Sequence, residues 1–265
     1  MEFKKRSILG PRRRIFAVKQ HRKPLVVDSV VDIDKKDIKN PLAVVEYVED
    51  LYKFYKLAET SSQIGDYMSV QTEIDEDTRM SVVGCLVQFH IKLNLATEVL
   101  FLGIHILDRY LCMNLVARKE LPLVGLTALL IANKYEDDSK TPVEEYFNMA
   151  DEFYSKKDIL DMEKLILRKL GWTLAFPTAY HFLVRFIKAA EADKEMENTI
   201  FLLAVSSLMQ YEVIKSYPPS IIAASSVYAA NWILKKTTLW SATLQHYTGF
   251  CESQVMECSK RLMKI

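Results

Sequence analysis

The hydrophobic positions of the chain fall into a long series of helical stripes. Before residue 40 no period is sustained, and 1–39 read as a tail. "NPLAVVEYVEDLYKFY" then starts sharply. Asn40 is a favourable N-cap and Pro41 stands at the first helical position, where its missing N–H costs nothing. Val44, Val48, Leu51, Tyr52 and Tyr55 share one stripe. The polar stretch "SSQIGDYMSVQTEIDEDT" follows, so 40–76 predict one helix and a connector. From Arg79 helix follows helix, with predicted spans 78–93, 97–114, 121–136, 142–150 and 155–170. "GWTLAFPT" breaks the pattern with Gly171 and Pro177. A second series is predicted near 178–190, 194–213, 218–235, 239–247 and 252–264.

Two of these segments are apolar on nearly every side, "LPLVGLTALLIAN" and "PPSIIAASSVYAAN". Such a helix belongs at the centre of a bundle. Both begin with proline, at Pro122 and Pro219, and both carry small residues that let neighbouring helices approach: Gly125, Thr127, Ala128 and Ala132, then Ala223, Ala224, Ser225, Ser226, Ala229 and Ala230. The pattern predicts an all-α protein of two tandem five-helix bundles, 77–172 and 173–265, each wrapped round its third helix.

Composition agrees with this picture. Half of the 265 residues are hydrophobic, and only 7 are glycine and 8 proline, few for a β-sandwich or a doubly wound sheet. Cys85, Cys112, Cys251 and Cys258 form no CxxC pair and read as reduced, buried thiols. The longest apolar run is shorter than the roughly 18 residues of a membrane span, and "MEFKKRSILGPRRR" lacks the apolar core of a signal peptide. A soluble, intracellular protein with no membrane association is expected. Net charge is +1 but uneven: up to Pro24 the chain carries Lys4, Lys5, Arg6, Arg12, Arg13, Arg14, Lys19, Arg22 and Lys23 against Glu2 alone. That tail reads as solvated and disordered, as a nuclear-import signal, or, third, as a nucleic-acid contact.

No catalytic motif is present: no GxxxxGK[ST], HExxH, GxSxG or strand-linked GxGxxG. The histidines have no metal-ligand spacing, so no enzyme activity, metal or cofactor is expected. What stands out is charge at apolar positions. "LTALLIANKYEDD" ends an almost wholly apolar helix with Lys134, Glu136, Asp137 and Asp138. In "KKDILDMEKLILRKLGW", Glu163 falls inside the stripe of Ile159, Met162, Ile166, Leu167 and Leu170. Glu163 reads either as a rim carboxylate with Lys164 or Arg168 as intrahelical partner, or as a carboxylate on a surface that another protein covers. Lys134 admits the same two readings. Arg79, on the stripe of Val83, Leu86 and His90, and Asp108, at the edge of Leu100, Ile104, Leu107 and Leu111, read as an internal ion pair or as two unrelated edge charges.

"ILDRYL", "LPLVGLTALLIANKYED", "YSKKDILDMEKLILRKLGWTL", "FPTAYHFL" and "YPPSIIAASSVYAA", in that order over roughly residues 41–265, together resemble the cyclins. "NPLAVVEYVEDLYKFY" and "LQHYTGF" look like the mitotic B type of plants. The resemblance implies a regulatory subunit that binds and activates a cyclin-dependent protein serine/threonine kinase as a heterodimer, around G2/M, in nucleus and cytoplasm, with kinase substrates as further partners. It implies that Lys134 and Glu163 hold the kinase's mobile helix, that Tyr135, Leu167, Trp172 and Leu174 are groove positions, and that Tyr47 and Tyr52 belong to a helix that clamps the kinase. It assigns Arg79 and Asp108 to the family's internal pair. The positions of the family's apolar substrate-docking patch are here Thr78, Ser81, Val82 and Cys85, so docking there is expected to be weak. "RSIL" and "RKPL" fit only a minimal RxxL destruction signal. The alternative is a cyclin-fold transcription-initiation factor that binds DNA; it would want basic residues on the helical core, and no direct nucleic-acid contact is expected here.

Overall fold

The structure, a computed structural model, describes residues 29–136, 143–150 and 153–264. The basic clusters, both RxxL segments, Asp137 and Asp138 lie outside the described residues. Every regular element described is helical. After a short 3-10 turn (Pro41–Ala43) come α1 (Val45–Ser61), α2 (Glu76–Lys92), α3 (Thr97–Met113), α4 (Leu121–Glu136), α5 (Val143–Ala150), α6 (Lys156–Lys169), α7 (Ala179–Ala189), α8 (Lys194–Met209), α9 (Tyr211–Ser216), α10 (Pro219–Ile233), α11 (Ala242–Thr248) and α12 (Glu252–Leu262).

Local chemistry sets many of these boundaries. Asp75 accepts from the Thr78 N–H to open α2, Asp193 from Met196 N–H to open α8, and Ser241 from Leu244 N–H to open α11. Ser155 and Asp158 form a capping box that opens α6. Asn40 does cap, accepting from Leu42 N–H, but only the 3-10 turn; Val44 then takes a left-handed conformation and α1 starts at Val45.

The two apolar helices are central, as their patterns predict. α4 buries residues 124–133 without a break among α2, α3, α5 and α6. α10 buries 222–231 among α7, α8 and α12. Small residues are needed for this closeness: a Cβ on Gly125 would sit 2.9 Å from a Val82 methyl, and one on Gly103 would sit 3.1 Å from the Leu129 Cα.

Three expectations change. The segment expected as one helix over 194–213 is broken, because Gln210 is extended and α9 starts afresh at Tyr211. The carbonyls released there are used across the molecule: Arg79 of α2 donates to Leu208 O at 2.9 Å. Residues 29–39, expected as part of a loose tail, are held in successive turns against the C-terminal bundle. Ile33 is buried, and the N–H groups of Val31 and Ile33 donate to Thr243 Oγ1 and the Tyr247 hydroxyl. Asp34 pairs with Arg185 at 2.6 Å and Lys188 at 2.7 Å, and Asp37 pairs with Lys188. Burial alone would raise the Asp34 carboxyl; its hydrogen bonds to the two cations outweigh that and hold it below the usual range. Finally, only Cys258 is buried; Cys85, Cys112 and Cys251 are exposed, since each lies on the polar flank of its helix or at its end.

Candidate functional site

The last turn of α4 is where its burial ends. Asn133 is buried, then Lys134 and Tyr135 emerge, the tyrosine 50% exposed. α6 packs beside α4 with Ile159 and Ile166 facing inward and Met162 and Leu167 at the boundary. Glu163, on the same stripe, meets Lys134: Nζ lies 2.6 Å from Oε1. The carboxylate side chain is 13% exposed and the lysine 37%. The intrahelical partners considered for Glu163 are engaged elsewhere, Lys164 with Asp161 at 3.7 Å and Arg168 with the Lys164 carbonyl. One cation and one anion from two packed helices are thus fixed together at the surface.

Beyond α6 the chain turns sharply. Gly171 and Trp172 both take left-handed conformations, φ 60° and 62°, and Trp172 N–H donates back to Leu167 O at 2.9 Å. For glycine this is cheap; for tryptophan it is strained. The strain holds an indole 69% exposed. Leu174 is half-buried behind it, packed on the core. Tyr135, Leu167 and Trp172 therefore give an apolar border along the α4–α6 edge. Backbone strain beside exposed aromatic surface is characteristic of binding sites.

The two tyrosines expected in one clamp have different roles. Tyr47 is exposed on α1. Tyr52 turns inward: its hydroxyl donates to His181 O at 2.8 Å, its ring meets Phe182 edge-on, and burial pushes its hydroxyl up to about 12. It fastens α1 to the C-terminal bundle. Sequence reasoning missed the companions of this fastening. Glu59, buried, accepts from both the Ser220 N–H (2.9 Å) and hydroxyl (2.7 Å) and so caps α10 from another helix. Lys56 donates to the same hydroxyl. The available signal was the α1 stripe itself: Tyr52, Lys56 and Glu59 continue it at helical spacing, as Glu163 does on α6. Burial raises the Tyr55 hydroxyl, and the charge of Glu136 adds to it.

Arg79 and Asp108 face each other in the interior. Nε and one terminal nitrogen reach the two carboxylate oxygens at 2.7 and 2.6 Å, both side chains being essentially sealed. The Tyr67 hydroxyl donates to Asp108 at 2.7 Å and accepts from Arg79. The α2 patch is poor in apolar surface. Thr78 is buried with its hydroxyl on Asp75, Ser81 donates to the Asp77 carbonyl, and Val82 is buried, leaving Cys85 and Met80 outside. Among the described residues no group of His, Cys, Asp and Glu could hold a metal, and no helix is long and apolar enough to cross a membrane.

Comparison with known proteins places this arrangement. The family models "Cyclin, N-terminal domain" and "Cyclin, C-terminal domain" match residues 50–175 and 177–265. The chain belongs to the cyclin family. Its relatives are plant B-type and G2/mitotic cyclins. Cyclin-B1-1 of Arabidopsis thaliana is 46% identical over 89% of this chain and 55% of the relative. G2/mitotic-specific cyclin-1 of Antirrhinum majus is 50% identical over 89% of the chain and 50% of the relative. The chain thus spans little more than half the length of these relatives. In fold it is similar to a viral cyclin from herpesvirus saimiri (TM-score 0.69, 19% identity, 82% of this chain and 97% of that one). It is similar also to a chain of the yeast RNA Pol II CTD kinase CTDK-1 complex (TM-score 0.60, 16% identity, 78% and 69%). These relatives do not favour the transcription-initiation alternative.

Proposed function

We propose that this cyclin is the regulatory subunit of a cyclin-dependent protein serine/threonine kinase, acting in cell-cycle control at G2/M. The observation that carries the reading is the Lys134–Glu163 pair, fixed at 2.6 Å and bordered by exposed Tyr135 and Trp172. The relatives' names, G2/mitotic-specific among them, and a fold neighbour taken from a kinase complex support it.

The mechanism needs no chemistry from this chain. A protein kinase is active when the glutamate of its regulatory helix pairs with its strand lysine. A rigid surface that binds that arrangement better than the inactive one shifts the population toward it. Lys134 and Glu163 offer one donor and one acceptor to the kinase's regulatory helix, and the apolar border shields them once that helix is seated. Rigidity comes from beneath: α4 is sealed up to Asn133, and α6 is locked by its capping box. Location in nucleus and cytoplasm is part of the same proposal, supported by the basic clusters before Pro24. The test is a purified-chain assay with candidate cell-cycle kinases. Activation by at least tenfold is expected; retention on DNA with no kinase activated would replace this reading.

A further inference from the structure

α1 is held unevenly. Its second half is fastened by Tyr52 and Glu59, but over its first seven residues, 45–51, no side chain is buried. Among the described residues, none of those side chains reaches another element through a hydrogen bond, an ion pair or a ring contact; Asp50 pairs only with Lys53 of the same helix. A helix end so placed frays unless something outside it sets its start. The turns at 29–39 stand where such a support is needed. Asp34 is their fixed point, accepting from Arg185 at 2.6 Å and from Lys188 at 2.7 Å, and Asp37 pairs with Lys188. From there the backbone runs to α1 in bonded steps of three: Asp37 N–H donates to Asp34 O and Asn40 N–H to Asp37 O, both at 2.8 Å, and Ala43 N–H to Asn40 O at 3.1 Å. Beyond the corner, Tyr47 N–H donates to Val44 O at 2.9 Å. The corner itself is strained, since Val44 is β-branched and sits at φ 45°. Such a conformation persists only where its surroundings fix it. Arg185 links these turns to α1 a second way: its guanidinium lies 5.4 Å from the Tyr52 ring and 4.9 Å from the ring of Tyr247, whose hydroxyl accepts from Ile33 N–H.

We propose that residues 29–39 form a brace that positions the first half of α1 for the kinase, with Asp34 as the positioning residue. The inference rests on the kinase reading, in which exposed Tyr47 of α1 meets the kinase. Asp34 is itself 13% exposed and already bonded to two cations of the C-terminal bundle, so it acts through α1. With the anchor in place, α1 presents Tyr47 in one orientation. Without it, the fraction of chains competent to bind falls, and apparent affinity falls by the same factor.

The test is a double-mutant cycle on the full chain, read by kinase affinity. Asp34→Asn keeps the shape and removes the charge, so the variant should fold, as circular dichroism would verify. Lys188→Gln releases the same anchor from the side of α7. Each is expected to weaken kinase binding about tenfold. In a Tyr47→Ala background, Asp34→Asn should weaken it by less than about twofold more, because both changes act on the same contact. Hydrogen exchange on the free chain should quicken at the amides of 48–54, which bond the first two turns of α1, and stay as in the parent in α10. Four results would overturn the proposal: equal kinase affinity of Asp34→Asn and parent, losses that add in full in the Tyr47→Ala background, unchanged exchange at 48–54, or exchange quickened throughout the chain. A parent that binds no cell-cycle kinase would overturn the kinase reading and this inference together, whereas a parent that binds, with an indifferent Asp34→Asn, overturns the inference alone.

Discussion

Arg79 directs its donors wholly inward, to both oxygens of Asp108, to the Tyr67 hydroxyl and to the Leu208 carbonyl at the end of α8. Removing it strands a buried carboxylate and a helix-end carbonyl together. Arg79→Ala is expected to cost roughly 3–5 kcal/mol, the range for breaking a buried pair. A melting temperature within a degree of the parent would contradict this. His105 makes a second prediction at this scale. Its Nε2 is sealed from water without a hydrogen-bond partner, beside the Phe176 ring. Burial, against the weaker pull of Asp108, pushes its pKa down to about 4. A folded pKa below the unfolded value of 6.5 means that the unfolded chain takes the proton first. The stability contributed by neutral His105 is therefore full above about 6.5 and is lost as pH falls toward about 4, at up to ~1.4 kcal/mol per pH unit. His105→Phe should flatten the stability profile in that window, as measured by urea unfolding at stepped pH. Equal slopes in parent and variant would rule the account out.

At the scale of elements, Trp172 joins stability to binding with opposite signs. A tryptophan held at φ 62° carries a steric cost of roughly 1–2 kcal/mol, which glycine avoids at a smaller cost in chain entropy. Trp172→Gly should melt no lower than the parent yet bind the kinase about tenfold or more weakly. A variant less stable but equally tight would show the residue to be structural. Why this turn was readable in the sequence and others were not follows from range. Gly171, the α6 stripe, the apolar bodies of α4 and α10, and the cap at Asn40 are set by residues within a turn or two of each other, so spacing reveals them. The odd position of Glu163 was legible for the same reason; the family resemblance put Lys134 in the same groove, and the direct bond between the two came only from the structure. The break between α8 and α9 was not legible, because the group that takes up the Leu208 carbonyl is Arg79, 129 positions away. The same holds for the turns at 33–39: Asp34 looks like any tail aspartate until Arg185, 151 positions on, comes beside it. Tyr52 was placed in the kinase clamp by the family resemblance alone, because a stripe does not say which of two neighbours it faces.

In the whole molecule, α1 precedes the N-terminal bundle in sequence but is fastened to the C-terminal one, by Tyr52 on His181 and Glu59 on the start of α10. Arg79 ties α2 to the end of α8, so both bundles and α1 share buried polar links. Glu59→Ala would leave the Ser220 N–H without its charged acceptor, a loss of roughly 1.5–3 kcal/mol concentrated on α1. Faster proteolysis in the connector after Ser61 is expected, with lower kinase affinity although Glu59 itself is buried; unchanged cleavage would show that α1 is held by other means. The central claim is that a preassembled charge pair on a rigid edge reads the kinase. Because Lys134 and Glu163 bond each other, exchanging them keeps their mutual attraction while inverting what a partner meets. The decisive measurement is kinase activation by the double variant Lys134→Glu, Glu163→Lys, with melting temperature recorded alongside. The account predicts a protein as helical and nearly as stable as the parent that activates its kinase at least a hundredfold less; normal activation by that folded variant would contradict it.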